Sequence, residues 1–384
     1  MRLARRRYSA GTSRSGGLLR IDSLTGVRIL AAAAVFLSHV SNTSVLPGRA
    51  FVFMQAGYNG VTLFFTLSGF VLAWNYADRL ASPTRGSIWS YFVARIARIY
   101  PLYLFALALG AIPFALGAGL EPKIWLHIFA LQPWSPSYDD AFAYNGPGWS
   151  IGVEFFLYAC FPLIIVLLAR AGKRTLIAVL IGATAAVFAL ALIFLLNGNA
   201  ALSPFDSASV HRWLYRSPLT RLGDFTVGIV AALMLIRLNR PPVWMAYAAQ
   251  ALGVISFVVL MSDYRVLNSV WSWDSAYLIP TFLVIWGLAA GPRSFLSRFL
   301  GSRPMVILGE ASFAFYLLHA PILDLIRFPV PTELWQWVLI VTTEFAIIML
   351  AAIGAHKLVE MPAQRWLRGH LDRRRPKAAA APVS

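Results

Sequence analysis

The sequence predicts an all-α, polytopic membrane protein of about ten transmembrane helices with both termini in the cytoplasm. Hydrophobic residues make up 59% of the chain and charged ones only 13%, about half the charged share of a soluble domain. Apolar runs of about 17–25 residues, long enough to cross a bilayer as helices, recur from end to end. The basic residues gather in short clusters beside these runs, as membrane orientation signals do.

The ten spans are read at 22–42, 58–78, 99–118, 148–169, 175–196, 219–237, 243–261, 274–291, 305–327 and 334–358. Pro113 interrupts the third, while Trp271, Asp274 and Pro280 crowd the eighth. With the N-terminus inside, 25 of the 33 basic residues fall in cytoplasmic segments and seven in outer ones, Arg28 lying within the first span. That bias places both ends in the cytoplasm, which requires an even number of spans. Residues 1–20 form a basic cytoplasmic tail, 21–368 the membrane domain, and 369–384 a basic, Ala/Pro-rich tail; both tails are expected to be disordered. The longest outer loops are 119–147 and 197–218.

Composition also narrows function. A formal charge of +17 would suit nucleic acid, but its position beside apolar runs serves membrane orientation instead, so no nucleic-acid partner is expected. Cys160 is the single cysteine, which excludes an intramolecular disulfide and a multi-cysteine metal site. The six histidines are scattered and no two stand at i,i+4, so metal is a poor fit. Gly57, Gly60, Ser68 and Gly69 in GYNGVTLFFTLSGF have no basic residue after them; small residues so spaced allow close helix packing rather than phosphate binding. A Gly-x-Ser-x-Gly elbow is absent, as is an internal repeat of the kind many transporters carry. No small-residue cleavage site follows the basic N-terminus, so a removable signal peptide is not expected.

The polar residues near the membrane sort into two layers. Arg28 and His39 lie in the first span with ten residues between them. An arginine near a helix centre costs roughly 2.5–3.5 kcal/mol on insertion scales, which makes a functional site the default reading. Eleven helical steps rise about 16 Å, roughly half the hydrocarbon thickness. The inner layer holds Arg28 with Arg95 and Arg98, three residues apart on one helix face and suited to a phosphate-bearing ligand through bidentate hydrogen bonds. Anchoring to anionic lipid head groups is the alternative. The outer layer holds His39, Ser150 and Glu154 (four apart), Asp224 and His319. Imidazoles and carboxylates at one depth can assemble acid–base chemistry; helix–helix hydrogen bonding, worth about 0.6 kcal/mol per pair, is the blander account. Glu344, mid-span in the last helix, has no evident partner in the sequence.

Taken in order, these strings resemble the acyltransferase family 3 membrane proteins. The resemblance rests on the Arg28/His39 pair, the glycine-rich stretch at 57–70, Arg-x-x-Arg-Ile-Tyr-Pro at 95–101 and Trp-Ser-x-x-Val-Glu-x-x-x-Tyr at 149–158. Ser-x-x-x-Tyr-Leu-x-His at 312–319 and Glu-x-Pro-x-x-x-Trp-Leu at 360–367 complete it. It implies ten spans and transfer of an acyl group, usually acetyl, from cytoplasmic acyl-CoA to a hydroxyl of a glycan, glycolipid or macrolide-type natural product. Its first-span pair places catalysis on His39 and CoA binding on Arg28; by their own chemistry, Glu154 or another outer carboxylate is expected to orient the imidazole, and Arg95 and Arg98 to hold the CoA phosphates with Arg28. Trp149, Ser150, Asp224 and His319 fall on the acceptor side. Thr62 stands where the family commonly has Asp. No fused esterase-like domain, permanent cofactor or metal is expected, acyl-CoA being a co-substrate. The implied location is a bacterial inner membrane, with lipids as neighbours. The competing reading is a multi-pass transporter or flippase for a lipid-linked or sugar substrate, which also explains intramembrane charge.

Overall fold

The computed structural model describes residues 12–15, 18–117, 119–239 and 241–372. Ten helices occupy the ten expected positions: α1 (Asp22–His39), α2 (Gly60–Leu80), α3 (Arg85–Leu116), α4 (Trp149–Leu168), α5 (Lys173–Leu196), α6 (Pro218–Arg237), α7 (Val243–Ser262), α8 (Ser275–Ala290), α9 (Arg303–Leu325) and α10 (Leu334–Ala355). Eight helical segments are long and apolar enough to cross a membrane by length and composition alone. The other two are α1, whose Asp22, Arg28 and His39 dilute its apolarity, and α8, which is 16 residues long. A π-turn at His356–Glu360 leads from α10 into α11 (Met361–Asp372), whose apolar residues lie on one face.

Two boundaries depart from the sequence reading. α3 begins at Arg85 and not near 99, because Thr84 and Ser87 form a capping box that satisfies its first backbone N–H groups. It runs on for 32 residues through Pro101 and Pro113. Arg95 and Arg98 are therefore helical, three turns inside the bundle's inner end, the end that carries residues 22 and 355. The N-terminal tail is not wholly irregular: β1 (Thr12–Ser15) pairs antiparallel with β2 (Leu18–Ile21), Thr12 opposite Ile21. Arg20 at the end of that ribbon is ion-paired to Asp22 at 2.9 Å and to Glu310 of α9, which fixes the entry into α1. The C-terminal tail read from 369 is likewise not wholly irregular, because α11 continues to Asp372; residues 1–11, 16–17 and 373–384 of the two tails lie outside the described residues.

Close helix contacts explain the glycines. A Cβ on Gly69 of α2 would fall 2.0 Å from the Phe225 carbonyl oxygen, and one on Gly228 of α6 would fall 1.8 Å from that of Thr66. The two backbones touch reciprocally, with no room for any side chain at either point. The Leu-Ser-Gly-Phe stretch is thus a packing seam.

Loop 119–147 packs into the bundle instead of covering it. Gln132 is fully buried and donates to the Gly148 carbonyl (2.8 Å) and the Tyr103 hydroxyl (3.1 Å). Asn145, also buried, donates to the Leu317 carbonyl at 3.1 Å. Irregular backbone among apolar helices persists only where its polar groups find such partners. From the outer side, the buried Arg216 donates to the carbonyls of Ser135 (2.7 Å) and Pro136 (3.2 Å), tying the two long outer loops together. One consequence reaches the functional site: α4 starts deep within the bundle.

Candidate active site

The inner half of the bundle contains two connected cavities. The narrower, about 90 Å³, is lined by Arg28, Arg95, Arg98, Glu154, Tyr158 and Tyr316 among apolar side chains of α2 and α4. The wider, about 400 Å³, lies toward the inner end and is lined by Arg20, Trp74, His356, Glu360, Gln364 and Arg365. Arg28, Val71 and Arg98 line both, so the two form one passage from the inner end toward the middle. Arg95 is buried; its Nη2 donates to the Tyr76 hydroxyl at 3.2 Å and its ring neighbour is the Tyr76 face, while Nε is buried without a partner among the described residues. Three guanidinium groups, with the carboxylates of Glu154, Glu310 and Glu360, therefore surround one passage.

Glu154 belongs to this inner group. It accepts a hydrogen bond from Tyr158 at 3.1 Å, Tyr158 accepts one from Ser68 at 3.2 Å, and the charges of Arg98, Arg28 and Arg95 act on the carboxylate. The sequence reading put Glu154 in the outer layer beside His39; the structure gives it these arginines as neighbours. The cause is loop 119–147, whose packing sinks the first turns of α4. Ser150 moves with it: its hydroxyl donates to the Pro147 carbonyl at 2.9 Å, and it lines the inner cavity.

His39, the last residue of α1, faces a separate outer cavity of about 650 Å³. Its walls are the ends of α1, α3 and α9, the 326–331 segment and one face of α10, with Asp324, Arg327 and Glu344 as the charged lining. The His39 Nδ1–H donates to the Val35 carbonyl at 2.8 Å, which leaves Nε2 as the basic nitrogen. Asp324 is the carboxylate whose charge acts on the ring. His319, fully buried, stands between the cavities. Its Nδ1–H donates to the Tyr316 carbonyl at 2.6 Å, and its Nε2 has no partner among the described residues. Its ring lies 5.1 Å from that of His39 and 5.8 Å from that of Tyr316, centroid to centroid. Tyr316 lines the inner cavity and His39 the outer. A layer of two side chains therefore separates them.

Trp149 and Asp224 line neither cavity. Trp149 is buried against Phe65 and Tyr215. Asp224 is fully buried in an ion cluster, paired with Arg221 at 2.8 Å; Arg221 also pairs with Asp274 and donates to the Tyr215 carbonyl at 2.7 Å. Thr62 joins the cluster by donating to Asp274 at 2.8 Å and accepting from Arg221 at 3.1 Å. A carboxylate thus reaches the Thr62 position from residue 274. Trp149 and Asp224, read on the acceptor side, thus lie away from both the inner passage and the outer cavity, one packed among aromatic rings and the other in a buried ion cluster.

The family model described as an acyltransferase domain matches residues 21–355, which takes in α1 to α10 but not Met361, Gln364 and Arg365 of α11 at the wide inner cavity. The chain belongs to acyltransferase family 3. "Acyltransferase MdmB" of Streptomyces mycarofaciens is 32% identical over 391 residues, covering 94% of this chain and 95% of that protein. "O-acetyltransferase OatA" of Staphylococcus aureus (strain NCTC 8325 / PS 47) is 24% identical and "Putative O-acetyltransferase SACOL0978" of strain COL 21% identical. Each alignment covers 90% of this chain but 57% of the staphylococcal protein, so the chain spans little more than half the length of those two relatives. No solved structure matches the chain. This family 3 member is an O-acyltransferase and a multi-pass membrane protein.

Several residues at the acyltransferase's cavities were given no role from sequence, although Tyr316 and Glu360 stand in the motifs quoted above. Tyr316 precedes His319 by three residues and shares its helix face, a signal that was available. Asp324 sits one turn and a half beyond His319 in α9, inside the ninth span as read, but was given no role. His356 and Glu360, hydrogen-bonded at 2.8 Å, are brought to the inner cavity by the π-turn after α10, which no periodicity announces.

Proposed function

We propose that this acyltransferase takes its acyl group from acyl-CoA entering at the cytoplasmic end and delivers it to a hydroxyl-bearing acceptor held in the outer cavity. One observation carries the reading: Arg28 and His39 stand on the same unbroken helix, facing cavities that open toward opposite ends of the bundle. Eleven residues of α-helix separate them by about 16 Å, too far for a compact donor and well suited to a long thin one. The wide inner cavity suits a nucleotide with its phosphates on Arg28, Arg98 and Arg365, with Arg95 beyond them in the narrow cavity. The narrow cavity, walled by Val61, Phe64, Leu67 and Ile151, matches an uncharged pantetheine arm. The positive-inside bias supports the sidedness, and a bacterial cell membrane as the location.

In this reading the acceptor hydroxyl gives its proton to His39 Nε2 as its oxygen bonds to the thioester carbonyl carbon. The tetrahedral intermediate collapses with cleavage of the carbon–sulfur bond, and the CoA thiolate takes the proton back from the imidazolium. Asp324 stabilises the imidazolium while it exists. Glu154 acts on the donor side, holding the arginines in register through Tyr158. Acetyl is the expected acyl group, on the strength of the relatives' names. The test is acetyl-CoA turnover by the purified full chain in nanodiscs. His39-dependent release of CoA supports the reading; turnover unchanged in His39→Ala contradicts it.

A further inference from the structure

Glu344 is mid-helix in α10, buried, and not used by the mechanism above. It shares one face of that helix with Trp337, Ile340 and Val341, and all four line the outer cavity. Its side chain is 8% exposed, and its Oε2 is buried without a hydrogen-bond partner among the described residues. The cavity's other carboxylate, Asp324, has Arg327 and His39 acting on it. No charged group of the described residues acts on Glu344. A carboxylate oxygen removed from water needs a counter-charge or a donor, and the described residues supply neither to Oε2.

The surroundings say what would complete it. Pro113, Phe114, Trp337, Ile340 and Val341 give the cavity apolar walls beside an equal share of polar surface from His39, Asn42, Asp324 and Arg327, and its volume of about 650 Å³ falls within the range of drug-sized ligand sites. We infer that Glu344 is a subsite for a protonated amine, so that the acceptor is an alcohol carrying a basic nitrogen. This rests on the outer cavity being the acceptor site. The ammonium would donate to Glu344 beside Trp337, Ile340 and Val341 of α10 while the hydroxyl reaches toward His39. A neutral acceptor would leave that carboxylate unpaired.

Binding of two matched probes to the full chain in nanodiscs tests it: propranolol, an apolar amino alcohol cationic at pH 7.5, and its neutral N-acetyl derivative, which keeps the hydroxyl. Protein-free nanodiscs correct for partition into lipid. The wild type should prefer the cation by about tenfold, the worth of one charge-assisted contact in a semi-buried site. Glu344→Gln should remove the preference and Glu344→Asp should keep part of it, with acetyl-CoA binding unchanged in both as evidence of an intact fold. No preference in the wild type, or a preference that survives Glu344→Gln, overturns the inference. Acetyl-CoA turnover of His39→Ala is scored separately. A lost preference in Glu344→Gln beside normal turnover in His39→Ala would keep the amine subsite and reject the catalytic reading.

Discussion

The His39 and His319 imidazoles meet edge to face at the boundary between the two cavities, their ring centroids 5.1 Å apart and their planes at 65°. Both rings spend Nδ1–H on a backbone carbonyl of their own helix, Val35 for one and Tyr316 for the other. Both therefore present Nε2 as the free nitrogen, His39 to the outer cavity and His319 to the protein interior. This fixes orientation without any carboxylate contact, and Glu154 is not needed for it.

The layer made by His319 and Tyr316 should keep outer-cavity water from the thioester until an acceptor binds. His319→Ala opens that layer. It should raise the ratio of acetyl-CoA hydrolysis to acyl transfer several-fold, since excluding water suppresses side reactions. Quantifying free acetate against acylated acceptor by mass spectrometry checks this. An unchanged ratio would make His319 a packing residue.

The placement of Glu154 among Arg28, Arg95 and Arg98 predicts that Glu154→Gln changes the donor KM and leaves the acceptor KM alone. Sequence alone suggested the opposite. Steady-state kinetics with each substrate varied in turn decides it. A shift confined to the acceptor KM would return Glu154 to the outer layer.

Asp274 should matter for stability and not for chemistry. It pairs with Arg221 inside a cluster where Arg221, Asp224 and Asp274 are all fully buried. Asp274→Ala removes one of the two carboxylates that balance a buried guanidinium, and breaking a buried pair costs about 3–5 kcal/mol. A marked fall in thermal unfolding temperature in detergent is expected, with ligand KM values unchanged in protein that remains folded. Wild-type stability would show that Asp224 alone balances Arg221.

The outer loop should loosen in acid. Burial pushes the Asp140 carboxyl up, but hydrogen bonds from Lys123 (2.9 and 3.1 Å) and Ser135 (2.8 Å) outweigh it and hold the group below the usual carboxylate range. A depressed folded pKa contributes stability that is fully present above the unfolded value, about 3.9 for Asp, and is lost as pH falls through the folded one. Amide exchange in residues 121–142, corrected for its intrinsic pH dependence, should stay slow at pH 6 and rise below pH 4. Asp140→Asn should exchange faster at pH 6 and show little further change. A loop equally protected at both pH values would contradict this.

The fold was legible where the physics is local. An apolar run long enough to cross a bilayer announces a helix by itself, and a helix overlaps each of the ten spans read, the third starting fourteen residues earlier at Arg85. α1 was legible in more detail, because the spacing of Arg28 and His39 within one helix already fixes how far apart they act. Glu154 was not, since its depth depends on Gln132 and Asn145 bonding to Tyr103, Gly148 and Leu317 at long range. Asp224 misled for the same reason: its cluster draws Thr62 and Asp274 from elements far along the chain. The β1–β2 ribbon hid behind a basic composition that reads as a tail. Sequence shows which residues are polar in an apolar setting; packing decides which cavity each of them faces.

The central claim is that Arg28 and His39 act on two ends of one extended donor. Arg28→Lys keeps the charge but loses the planar fork that grips a phosphate in two places, so it should raise the acetyl-CoA KM and spare the acceptor KM. His39→Ala should lower kcat by roughly 10²–10⁴-fold, the usual worth of a positioned general base, with both KM values nearly unchanged. Determination of kcat and both KM values for the wild type and these two variants, in the same nanodisc preparation, is the direct measurement. Arg28→Lys moving only the donor KM, with His39→Ala moving only kcat, is the predicted result; Arg28→Lys altering the acceptor KM while the donor KM stays fixed would contradict it.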